Sequence, residues 1–232
     1  MPDLDWLTAR PIAHRGLHDA AAGVIENTAD AFTAAIDCSY GIECDIQISA
    51  DGVPIVHHDD ALGRLTEGSG KLADMSAVEI KAVRFKAGGG RILTLGELCE
   101  LVAGRAVLVL ELKSRFDGDR RLAERVAAVL KTYRGPAAAM SFDPDLIAAF
   151  RQSTPGLPRG IVAEGRFALH TNAWRTRPHF VAYAVKDLPA AAPLIARSVF
   201  GLPLMTWTVR SEDDRLRARR WADQMIFEGW RP

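Results

Sequence analysis

The chain has 232 residues, 48% of them hydrophobic, and its 29 basic residues balance 29 acidic ones. That balance, with no run of like charge, excludes the basic footprint of a nucleic-acid binder and the charged patch of a membrane-surface protein. No segment reaches the roughly 20 apolar residues that span a bilayer, and Met1-Pro2-Asp3-Leu4-Asp5-Trp6 lacks the basic and apolar regions of a secretory signal, so a soluble cytoplasmic protein without membrane insertion is expected.

In chain order, Pro11–Gly16 reads as a strand and Thr28–Cys38 as a helix with Phe32, Ala35 and Ile36 on one stripe. Residues 41–48 form an apolar strand carrying Glu43 and Asp45. Residues two apart on a strand point the same way, so the two acids share a face, opposite Ile42, Cys44, Ile46 and Ile48. Asp51-Gly52 is a tight-turn signal. It leaves Val53–Val56 as either a hairpin partner of that strand or the next barrel strand.

Residues 60–93 are Gly-rich and charged and read as an excursion from the main fold, with a short helix boxed by Ser76 and Glu79. Thr94 and Glu97 box a second helix, with Leu95, Leu98 and Val102 inward. The alternation then becomes regular. Val107–Leu112 is a strand, Leu122–Tyr133 a helix, Ala137–Phe142 a strand, and Asp143-Pro144 a helix start. Further strands are expected at Gly160–Ala163, Phe180–Val185, Pro203–Val209 and Met225–Phe227. Strands alternating with helices imply a parallel sheet. The number of strands favours an α/β fold of the (β/α)8 TIM-barrel type, with a small insertion after the second or third strand. The expected organisation is one domain over residues 1–232 with an inserted segment at about 60–93. Cys38, Cys44 and Cys99 are odd in number and lack metal-ligand spacing, so no disulfide framework is expected.

The unusual residues fall at C-terminal strand ends, the rim on which such barrels build active sites. These are His14 and Arg15, Glu43 and Asp45, His57-His58-Asp59, Glu111 and Lys113, Ser141 and Phe142, and Trp207. Glu43, Asp45 and Glu111 are hard oxygen ligands suited to Mg2+ or Ca2+, because buried unpaired carboxylates are otherwise costly. His14 and His58 suit general acid–base work, and Arg15 and Lys113 suit an anionic substrate, most simply a phosphate. Singly, each group also has a plainer reading: a buried salt-bridge network for Glu43 and Asp45, a hydrogen-bonded structural histidine, a solvated Lys113, a core Trp207. Their convergence on one rim favours the chemical reading. No Gly-x-Ser-x-Gly elbow or His-x-His pair is present, and Gly68-Ser69-Gly70-Lys71 lacks the P-loop spacing.

Ile12-Ala13-His14-Arg15-Gly16, Glu26-Asn27-Thr28, Glu43-Cys44-Asp45, Val56-His57-His58-Asp59 and Glu111-Leu112-Lys113 together resemble the glycerophosphodiester phosphodiesterase family. Asp51-Gly52-Val53-Pro54, the Arg64–Gly70 stretch, Ser141-Phe142-Asp143 and Trp207-Thr208-Val209 extend the likeness over residues 11–210. The resemblance implies a barrel that hydrolyses glycerophosphodiesters, a small-molecule substrate, to glycerol 3-phosphate and an alcohol. It implies His14 and His58 as acid and base, and Glu43, Asp45 and Glu111 as ligands of one divalent cation, Mg2+ or Ca2+ with Mn2+ as a third choice. It implies Arg15 and Lys113 on the phosphate and Trp207 lining the pocket. A lysophospholipase D acting on a lipid is the rival of the same fold. It would need an apolar entrance, for which Leu62, Leu65, Leu72, Phe167, Leu169 and Trp174 are the candidates. A non-catalytic phosphate binder is the rival of another class. The chain departs from the family pattern at Ile25, where Pro is usual, and at its last strand, Gln224–Glu228, where Glu228 stands for the usual Asp.

Overall fold

A computed structural model describes residues 3–88, 90–165 and 173–232. Eight parallel strands close into a barrel: β1 (Ile12–His14), β2 (Gly41–Ile48), β4 (Leu108–Leu112), β5 (Ala137–Ser141), β6 (Arg159–Ala163), β7 (Phe180–Ala184), β8 (Leu204–Val209) and β9 (Gln224–Phe227). β1 pairs with both β2 and β9, so the atypical last strand completes the ring. The remaining strand, β3 (Pro54–Val56), runs antiparallel to β2 with Ile46 opposite Val56. Asp51-Gly52 is therefore a hairpin turn, with Gly52 at φ +79°.

The helices follow their signals. α2 (Ala29–Asp37) is capped by Thr28, while α3 (Ala77–Ala82) and α4 (Leu95–Val102) each carry the expected capping box. α5 (Arg121–Leu130) and α6 (Pro144–Ser153) follow, α6 capped by Asp143 with Pro at its first turn. α7 (Ala173–Thr176) precedes β7. Three further helices had no legible stripe. α1 (Asp5–Thr8) is too short to show a period, α8 (Ala191–Ser198) has only Pro193 buried, and α9 (Glu212–Trp221) buries only Ala218. Residues 166–172, in the polar loop Gly165–Pro178 that the sequence offers as a loose segment, lie outside the described residues.

Strand parity divides the apolar residues into two layers. Ile42, Cys44, Ile46, Leu108, Leu110 and Leu112 face the helices in one buried cluster. Ile12, Val109, Ala138, Met140, Val162, Phe180, Ala182, Met205 and Ile226 fill the barrel, joined by Leu7 of α1 and by Leu4 just before it, which plug the end where the strands begin. The interior is thus dry below, and the next inward residues above it are polar. Segment 57–93 packs around its own cluster, with Leu62, Leu72, Ile80, Phe85 and Ile92 meeting Ile55 of β3. Ile25 packs against that cluster, which accounts for an apolar side chain where the family pattern has Pro. All three cysteines are free.

At the closed end, the His179 backbone N–H donates to the Arg159 carbonyl at 2.7 Å, and its ring Nδ1 is buried without a hydrogen-bond partner among the described residues. Burial, then the Arg159 charge, lower its pKa to about 4. The folded protein keeps this ring neutral where the unfolded chain takes up a proton. Its contribution is therefore complete above an unfolded pKa of about 6.5 and is lost as pH falls toward 4. His179→Gln is expected to shrink the drop in urea midpoint between pH 7 and pH 5. An undiminished drop would remove His179 from the acid sensitivity of the fold.

Candidate active site

The sheet register alone assembles the acidic residues. His14 on β1 sits beside Glu43 on β2, and Asp45 sits beside Glu111 on β4. Glu43, Asp45 and Glu111 each bring one carboxylate oxygen into a group whose members all lie within 4.8 Å of one another. Both β2 acids are buried, at 1% exposure. Burial, then the neighbouring Asp45 and Glu111, push the Glu43 carboxyl well above the usual carboxylate range. Burial likewise raises Glu111. Burial opposes ionisation of Asp45 too, but Lys113 and Arg15 outweigh it and hold that carboxyl well below the usual range.

Those two cations share Asp45 between them. Lys113 Nζ lies 2.8 Å from Asp45 Oδ1 and 2.6 Å from Glu111 Oε1. Arg15 Nε lies 3.2 Å from Asp45 Oδ2, and its Nη1 2.8 Å from Glu26 Oε1. Asn27 adds an amide that donates to Asp45 Oδ2 at 2.9 Å. Arg15 and Asn27 both have left-handed backbone, at φ +57° and +58°. A non-Gly residue there carries strain. The strained turn is held by Arg15 N–H donating to Glu43 Oε2 at 3.1 Å and Asn27 N–H donating to the Arg15 carbonyl at 2.9 Å. The next residue must be glycine: Gly16 has φ +79°, and a Cβ there would lie 2.9 Å from Ala31 backbone.

A divalent cation fits this trio. Glu43 Oε1 is buried with no hydrogen-bond partner among the described residues, and three carboxylates face two cations. Oxygens within 4.8 Å of one another can share one divalent cation, since ligands on opposite sides of such an ion lie about 4–5 Å apart.

Both predicted histidines border the trio. His14 is buried, its Nε2 3.9 Å from Glu43 Oε2 and its Nδ1 2.5 Å from Glu228 Oε2. Burial lowers its pKa despite the Glu228 hydrogen bond, favouring the neutral ring. His58 follows His57, whose N–H donates to the Asp45 carbonyl at 3.0 Å. The His58 Nδ1 pairs with Asp59 Oδ1 at 2.8 Å, and a third of its side chain is open to solvent. His57 is buried. Trp207 lies at the barrel mouth on the inward parity of Met205, edge-on to Phe142 with ring centroids 5.4 Å apart.

Sequence reading left out the partners that hold these groups. Arg64 reaches back from the inserted segment to clamp Glu26 at 2.6 Å and Asp59 at 2.7 Å. Arg210 clamps Glu228 at 2.9 Å. Glu26, Asp59 and Arg64 lie within the motifs that carry the family resemblance, though their pairing is not legible there, and Arg210 sits in no recognisable pattern. Of the apolar entrance candidates, Leu62 and Leu72 are buried and Leu65 packs against the same inner cluster. Phe167, Leu169 and the Trp174 side chain lie outside the described residues.

The model of the glycerophosphoryl diester phosphodiesterase family matches residues 14–229. The glycerophosphodiester phosphodiesterase of Caldanaerobacter subterraneus subsp. tengcongensis is 30% identical over 222 residues, covering 89% of this chain and 88% of that protein. The crystal structure of the Thermotoga maritima glycerophosphodiester phosphodiesterase superposes with a TM-score of 0.75 at 26% identity, over 93% of this chain and 92% of that one. An Oleispira antarctica phosphodiesterase, solved in complex with the product sn-glycerol-3-phosphate, gives a TM-score of 0.82 over 94% and 92% of the two chains. At 21% identity that likeness is one of fold.

Proposed function

Because this chain belongs to the glycerophosphoryl diester phosphodiesterase family, we propose that it hydrolyses glycerophosphodiesters to sn-glycerol 3-phosphate and an alcohol, with His14 and His58 as acid and base. The observation that carries the proposal is the placement of two histidines, each paired through Nδ1 to a carboxylate, around one buried acidic trio. The whole chain is read as one barrel domain with residues 60–93 inserted, acting in the cytoplasm. Among the described residues no helix is long and apolar enough to cross a membrane.

Glu43, Asp45 and Glu111 would hold the divalent cation. Bound there, it would polarise a phosphoryl oxygen and ease loss of a proton from a nearby hydroxyl. Arg15 and Lys113 offset only part of the trio's charge and stand ready to meet the phosphate charge as it grows on the equatorial oxygens. One histidine takes the proton from the attacking oxygen, which is either water, giving glycerol 3-phosphate directly, or the neighbouring glycerol hydroxyl, giving a cyclic phosphate that a water then opens to glycerol 3-phosphate. The other gives a proton to the departing alcohol. Trp207 and Phe142 form the apolar wall beside this centre. The burial of Leu62 and Leu72, with Leu65 half-buried against the same cluster, turns three of the six residues that a lipid entrance would have used toward the inserted segment's own core.

The deciding experiment is release of glycerol 3-phosphate from glycerophosphocholine and glycerophosphoethanolamine with Mg2+, Ca2+ or Mn2+ added, against an EDTA control. Metal-dependent release is expected. A folded protein that releases none with any ion would refute the reading and turn attention to lysophospholipids.

A further inference from the structure

Glu228 lies one residue beyond β9 and two beyond the inward-facing Ile226, so the barrel's own parity carries its side chain to the mouth. Its backbone N–H is tied to the Val209 carbonyl at 3.1 Å. The carboxylate is fully engaged. Oε2 meets His14 Nδ1 at 2.5 Å and Arg210 Nη2 at 2.9 Å, and Oε1 meets Arg210 Nε at 3.1 Å. The other histidine repeats this arrangement with different residues. His58 Nδ1 meets Asp59 Oδ1 at 2.8 Å, while Arg64 Nε meets Asp59 Oδ2 at 2.7 Å. Each ring thus has an acceptor on Nδ1, and each acceptor has an arginine behind it.

The consequence for His14 follows from its two nitrogens. A neutral imidazole has one donor and one acceptor, and the partner of one nitrogen decides the state of the other. A carboxylate held by arginine can only accept. The proton of His14 therefore sits on Nδ1, and the lone pair is on Nε2, the nitrogen 3.9 Å from Glu43. We propose that Glu228 is a positioning residue for the reaction. It accepts the Nδ1 proton of His14, so that Nε2 alone exchanges protons with the substrate, and Arg210 keeps its carboxylate in place. The proposal rests on the acid–base reading of His14 given above. It assigns a task to the residue that stands where the family pattern has Asp.

The test separates this proposal from that reading. Ring nitrogens of the chain's six histidines are observed by long-range 1H–15N correlation at pH 8, with His14 identified by its absence from His14→Ala. Wild-type His14 is expected as the single Nδ1–H tautomer. A wild-type ring protonated on Nε2 overturns the proposal without any variant. Glu228→Met removes the acceptor, keeps the side-chain length and leaves Arg210, 57% exposed, in water. It is expected to lose the fixed tautomer and to lower kcat for glycerophosphocholine about 10²-fold with KM unchanged within about twofold, the scale at which loss of an orienting partner acts. A retained Nδ1–H tautomer, or kcat within about threefold of wild type, overturns the proposal. If wild type releases no glycerol 3-phosphate, the reaction reading falls and the tautomer measurement decides the positioning claim alone.

Discussion

His14→Ala and His58→Ala are each expected to lower kcat for glycerophosphodiester hydrolysis by about 10²–10⁴-fold while the barrel stays folded, the range in which a positioned acid or base acts. Folding should survive because neither deletion strands a buried charge. Without His14, Glu228 keeps Arg210 and 21% of its side-chain surface in water. Without His58, Asp59 keeps Arg64, and the lost side chain was one-third exposed. Thermal unfolding of each variant checks this directly. A second substrate separates the two roles. With a p-nitrophenyl ester of glycerol phosphate the departing group needs no proton, so the variant lacking the acid should recover most of its rate and the variant lacking the base should not. Near-normal turnover of the natural substrate in either variant would remove that histidine from the chemistry. Failure of both variants to recover on the activated ester would leave the acid unassigned to this pair.

Removing the divalent cation is expected to be as severe, with EDTA lowering turnover by more than about 10²-fold, and it has a readout independent of catalysis. A ligand at about 100 times its Kd stabilises a fold by about 2.7 kcal/mol. For a domain of this size that corresponds to about 5–10 °C in Tm. Saturating Mg2+ or Ca2+ should therefore raise the Tm of wild type by about that much, and should leave Glu43→Gln unmoved. The same substitution should stabilise the metal-free protein at pH 8. Burial and the neighbouring Asp45 and Glu111 keep the Glu43 carboxyl protonated to higher pH in the folded state than in the unfolded chain. The folded state thus holds more protons, and its stability falls as pH rises above about 4.5 toward the raised value. Gln carries no such liability, so its advantage should shrink as pH is lowered to 5. A Glu43→Gln variant whose Tm still rises with metal would take Glu43 out of the ligand set.

The trio was legible because strand parity is a local property. Glu43 and Asp45 are two apart, and nothing but alternation is needed to put them on one face. That Glu111 joins them follows from the observed parallel register, in which Asp45 lies opposite Glu111. His14, Arg15, His58 and Lys113 were legible as residues at strand ends, because the fold class already names that rim. Capping boxes at Ser76 and Thr94 were local in the same way. The hairpin was not decided locally. Asp51-Gly52 allows a turn or a passage to the next barrel strand, and only the antiparallel pairing of Ile46 with Val56 selects the turn.

Sequence by itself thus determined the barrel class, the acidic face of β2 and the placing of His14 and His58 at strand ends, all properties carried by periods of two and by short motifs. Tertiary structure decided which partners those groups have. His14 meets Glu228 across 214 positions of chain, and Arg64 reaches Glu26 across 38. Such pairs exist only once the ring has closed and the inserted segment has folded back over it. Alternation within a strand says which way a side chain points. It carries no information about which residue, brought round by the closing strand, will be waiting there.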